Sequence, residues 1–171
     1  MNIIRHLVVA TLVSLALLSP IAPAVAASSG GTVSIVFKST LVSSGTTIET
    51  LPGGIQYGWN NLNGTTTWGT DQATMLFLGD VNYRSGSGPF SGFITVTRND
   101  GTKLAFTATG SALASTGANG SSTTNFTGNL AVIGGTGEYL GATGIGTMVG
   151  IRDGALGTPA RFTWRLHVAR H

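Results

Sequence analysis

From Thr32 onward, apolar residues recur at every second position in short runs, separated by Gly, Asn, Asp and Ser. No stretch of useful length shows a helical apolar period, so the pattern predicts strands and turns. A first strand over 32–42 carries Val33, Ile35 and Phe37 on one face and Ser34, Val36 and Lys38 on the other. Residues 48–51, ended by Pro52-Gly53-Gly54, either extend this segment or form an edge. Ile55-Gln56-Tyr57-Gly58-Trp59 alternates and leads into a polar loop over 60–69. Further strands are predicted over 73–81, with an extension to Tyr83 open, and over 92–98, 102–113, 123–133, 144–151 and 160–168. Asn99-Asp100-Gly101 is the strongest hairpin signal of the chain. The Ser/Gly segments 85–89 and 115–122 read as exposed loops.

The count is about eight strands in up-and-down order. A sheet of this kind must hide its edges by closing on itself or by packing on a second sheet. The expected fold class is all-β, a single antiparallel eight-stranded barrel, with a flat sandwich as the alternative. Gly110, Gly128, Gly144, Gly146 and Gly150 favour the barrel, because sharply coiled strands need close backbone approach. Eight closed strands leave an interior that side chains fill or that holds one small ligand.

The first 26 residues follow a different logic. Arg5 and His6 precede an apolar run over 7–18, broken by Ser19-Pro20 and Pro23 before Ala24-Val25-Ala26. This is the pattern of a cleavable signal peptide, cut after Ala26 or Ala27. The alternative, a membrane anchor, would need roughly twenty apolar residues. The expected product is a secreted or periplasmic domain over 27–171, with no membrane span once the leader is removed. The chain has no cysteine, which excludes a disulfide framework, a thiol nucleophile and Cys-based zinc sites.

Charge narrows the function further. Only 9% of the side chains are charged, and the balance is +3. The arginines are spread among acids, which argues against a nucleic-acid footprint. Asp80, in phase with Leu76 and Leu78, is the candidate general acid or base if that face points inward, and a solvated strand-end residue if it points out. Glu49 is a second acid that could reach a barrel mouth or sit in a solvated loop. Tyr57, Trp59 and Trp164 are candidate cavity-wall residues, with ordinary core packing as the alternative. In the last strand, the simplest assignment buries Phe162, Trp164, Leu166 and Val168 and exposes Arg161, Thr163, Arg165 and His167. The reverse would give a cationic cavity for an anion. With His167 and His171 the only histidines beyond the leader, no His-based metal site is expected.

One motif stands above this background. Ile133-Gly134-Gly135-Thr136-Gly137-Glu138-Tyr139-Leu140-Gly141-Ala142 invites a dinucleotide-binding reading. That reading fails because no helix of useful length follows the glycines, their spacing is wrong, and no βαβ unit flanks them. As a tight turn between two late strands, the motif, with Phe126-Thr127-Gly128-Asn129-Leu130 before it, resembles the allene oxide cyclase barrel and dirigent protein superfamily. The resemblance covers about twenty residues; elsewhere only the pattern agrees. It implies an eight-stranded barrel, often dimeric or trimeric, that holds a small, mostly apolar molecule and guides its cyclisation or stereospecific coupling without a cofactor, as a cyclase or isomerase. Dirigent-like sites use acidic residues and an arginine at the barrel mouth, but the sequence around them is not matched here, so no catalytic role transfers. The rival expectation is a non-catalytic barrel acting as an oligomeric cell-envelope protein or a small-molecule carrier.

Overall fold

The computed structural model describes residues 30–171, and the leader expected over 1–26 lies outside the described residues. The chain forms β1 (Thr32–Thr46), β2 (Glu49–Leu51), β3 (Ile55–Trp68), β4 (Asp71–Arg84), β5 (Gly88–Arg98), β6 (Lys103–Thr116), β7 (Ser122–Gly135), a single 3₁₀ turn (Gly137–Tyr139), β8 (Thr143–Asp153) and β9 (Ala160–Ala169). All neighbouring strands pair antiparallel, in the order β1-β9-β8-β7-β6-β5-β4-β3-β2, and β1 also pairs with β3. That last pairing, Thr40 to Thr46 against Thr65 to Asn60, closes eight strands into a barrel. β2 is left as a flap paired only to β3. Closure removes the open edges that a strand-rich domain otherwise exposes.

The predicted loop over 60–69 is instead the second half of β3. Its Asn, Gly and Thr residues read as loop by composition, yet they pair with both β1 and β4. Two inward positions there, Asn60 and Thr66, are polar but satisfied: Asn60 accepts a hydrogen bond from the Ser43 hydroxyl, and the Thr66 hydroxyl donates to the Lys38 carbonyl. Elsewhere the alternation holds. β9 buries Phe162, Trp164, Leu166 and Val168 and turns Arg161, Arg165 and His167 outward. At the Asn99-Asp100-Gly101 hairpin Gly101 takes a φ of 86°, and Asp100 Oδ1 accepts the Thr102 N–H at 2.8 Å.

Inside, aromatic rings run from one end of the barrel to the other. Tyr139 meets Trp68 at 5.0 Å, Trp68 meets Phe37 at 5.4 Å, and Phe37 stacks on Phe106 at 6.4 Å. Phe106 reaches Trp164 at 6.0 Å, and Trp164 touches both Phe77 at 5.9 Å and Phe162 at 5.1 Å. Each such ring contributes roughly 1.5–3 kcal/mol by leaving water. The Trp164 indole, fully buried in this column, has its N–H satisfied, donating to the Ser39 hydroxyl at 2.9 Å.

Candidate functional site: the open mouth of the barrel

The aromatic column ends at Phe77, Phe90, Phe126 and Phe162, where β4 and β8 finish and β5, β7 and β9 begin. Above these rings lies a recess with a free volume of about 40 Å³. At roughly 10–15 Å³ per water, it admits a few waters or the tip of a ligand. Ile48, between β1 and β2, overhangs one side, and the β8–β9 loop with Leu156, Gly157 and Thr158 overhangs the other.

The recess has few polar groups. Asn60 and Ser43, already bonded to each other, line one wall. Tyr83 comes from the inward face of β4 and is buried, which pushes its phenol up to about 12. The positive Arg152 opposes that shift, and the negative Asp80 adds to it.

Arg152 is the last inward position of β8, in phase with Gly144, Gly146, Met148 and Gly150. Its Nη2 donates to the Thr124 hydroxyl at 3.2 Å, and its guanidinium carbon sits 5.7 Å from the centre of the Phe126 ring. Its Nε is buried without a partner, and among the described residues no carboxylate pairs with it. Burial lowers the pKa of this guanidinium, while Tyr83 acts in the opposite sense.

Of the residues singled out from sequence, Asp80 alone borders the recess. Tyr57 and Trp59 do not line the cavity: they point outward, 52% and 50% exposed. Alternation alone does not say which face is inside. The continuation of β3 decides it, because Asn60, Thr66 and Trp68 are the buried set. The β1–β2 connection crosses over Gly58, where an added Cβ would lie about 3.0 Å from Ile48 Cα, so Gly58 and not its aromatic neighbours occupies the inner side.

Asp80 likewise lies on the outward register of β4, since Gly79, Val81 and Tyr83 take the inner positions. It borders the recess from the outer wall, and its Oδ1 accepts from the Ser91 hydroxyl at 2.7 Å and the Ser91 N–H at 3.2 Å. Glu49 is exposed on β2, opposite Tyr57. Trp164 is fully buried beneath the recess, as part of its support and not of its wall.

Arg152 and Tyr83 are the residues that sequence reasoning missed. Extending the Gly144-Gly146-Met148-Gly150 alternation by one step would have placed an arginine on the inner face of β8.

The glycine-turn motif sits at the opposite end. Tyr139 packs on Trp68, and Glu138 pairs with Arg98 at 3.0 Å and with Arg170. That end is a plug. Among the described residues no three His, Asp or Glu side chains gather as a metal site, and no helix is long and apolar enough to cross a membrane. No protein-family model, curated protein or solved structure matches this chain.

Proposed function

We propose that this is an exported, cofactor-free barrel that binds a small, mostly apolar molecule by one end at its open mouth. The observation that carries this is the recess itself. In a barrel packed with apolar side chains, this recess has a floor of four phenylalanines and a few convergent polar groups. With about 40 Å³ free, the ligand is gripped at its tip and not enclosed. A carrier or positioning role fits such a grip. Guided cyclisation or coupling of a reactive ligand would have to proceed at the mouth, by holding the reacting ends in register. Export is part of the proposal because of the leader pattern over 1–26.

A second reading, an oligomeric structural barrel, is favoured by the outer face. Tyr57, Trp59, Leu78 and Phe93 are exposed there, with Leu78 directly opposite Phe93 across β4 and β5. Native mass spectrometry of the processed protein from its own host, with extraction of bound compounds, separates the two. A retained apolar compound supports the binding reading. An oligomer free of any small molecule supports the structural one and counts against binding.

A further inference from the structure

The barrel carries an inward-facing arginine at each end, and the two are treated differently. Arg98, the last inward residue of β5, is met at the plugged end by the Glu138 carboxylate at 3.0 Å and lies over the Trp68 ring. Arg152, the last inward residue of β8, has a hydroxyl and a phenylalanine ring for company, and no acid pairs with it among the described residues. A half-buried charge without a counter-charge is costly, and a neutral apolar side chain at this position would avoid that cost. Asp80, the acid that borders the recess, is turned outward and engaged by Ser91, so it does not supply the missing charge.

We propose that the acidic partner of Arg152 is supplied by the ligand: the molecule bound at the mouth is a small apolar acid whose anionic oxygen sits on the Arg152 guanidinium. This rests on the mouth being the binding site. The fork of the guanidinium suits a carboxylate, which it can hold through two parallel N–H donors. Nε is buried without an acceptor at both arginines, so what sets Arg152 apart is the missing carboxylate. Tyr83 lines the same recess, and its phenol, protonated at neutral pH, is a second donor there. The four phenylalanines then take the first carbons of the apolar chain, and the remainder passes out beneath Leu156.

The test is NMR-monitored titration of the processed protein with hexanoate, 1-hexanol and methyl hexanoate at neutral pH. Hexanoate is expected to bind about tenfold or more tighter than either neutral probe, as one charge-assisted contact allows. In Arg152→Gln that preference is lost, and hexanoate falls to the affinity of the neutral probes. Arg152→Lys, which keeps the charge without the fork, retains part of the preference and serves if the glutamine variant does not fold. Equal affinity for all three probes, or a preference that survives in Arg152→Gln, overturns the assignment of an acid while leaving the mouth as an apolar binding site. Failure of every probe to bind removes the binding reading itself, and the acid with it.

Discussion

The Arg98 guanidinium carbon lies 4.3 Å from the centre of the Trp68 ring while its Nη1 is held 3.0 Å from Glu138 Oε1. The strand β5 and the glycine turn are thereby locked together at the end of the barrel away from the recess. The turn is built for this. Gly137, at a φ of 59°, starts the 3₁₀ turn, which sets Glu138 facing the two arginines and Tyr139 against Trp68.

The two residues of the turn should therefore differ in their effect on stability. Tyr139 is 3% exposed, so Tyr139→Ala empties an aromatic site and should cost about 3–4 kcal/mol. The Glu138 side chain is 43% exposed, so solvent screens its pairs and Glu138→Gln should cost only about 1 kcal/mol. Urea denaturation of the two variants gives the comparison. A Glu138→Gln loss equal to or above that of Tyr139→Ala would mean that the ion pairs, and not the packing, hold the plug.

The strand glycines make a second, sharper claim about why this barrel can close. A Cβ on Gly110 would lie 2.6 Å from Phe90 Cζ and 2.8 Å from Gly128 Cα, and would also press on the Thr127 carbonyl. Gly110→Ala should therefore cost about 1–3 kcal/mol by overpacking. Gly31, whose added Cβ meets nothing within 4 Å, is the control, and Gly31→Ala should stay within about 0.5 kcal/mol of the parent. Thermal melts of the two variants, run side by side, decide the point. A neutral Gly110→Ala would show that the β5–β6–β7 wall yields easily.

Period-two alternation made the strands legible in the sequence, and it oriented the last strand correctly because Phe162, Trp164, Leu166 and Val168 leave little choice of face. It failed over 60–69, where the inward set is Asn60, Leu62, Gly64, Thr66 and Trp68 and no run of apolar residues marks the buried face. The same ambiguity cost the site. Tyr57 and Trp59 are the conspicuous aromatics, but the register that buries Trp68 forces them outward. Asp80 is the conspicuous acid, but the register that buries Phe77 and Val81 puts it on the outer wall. Arg152 went unseen because its strand is mostly glycine on the inner face, and glycine gives alternation nothing to count.

The pH dependence of stability tests the electrostatics of the mouth directly. A tyrosine phenol ordinarily has a pKa of 10.0, and burial above all pushes that of Tyr83 up to about 12 in the fold. A group whose folded pKa is raised contributes its stabilisation below the unfolded value and loses it as pH rises through the folded value. Stability should therefore fall between about pH 10 and about pH 12, by at most roughly 2–3 kcal/mol from this group. Tyr83→Phe has no proton to lose, so its stability relative to the parent should improve across that interval, with the other alkaline titrations common to both. Urea midpoints from about pH 9 upward give the difference curve, and the parent-minus-variant absorbance of phenolate locates the titration. Because the Arg152 charge lowers the Tyr83 pKa, Arg152→Gln should move that titration still higher. A difference curve flat from about pH 9 to about pH 12 would show that the Tyr83 phenol is solvated, and the mouth open to water at its base.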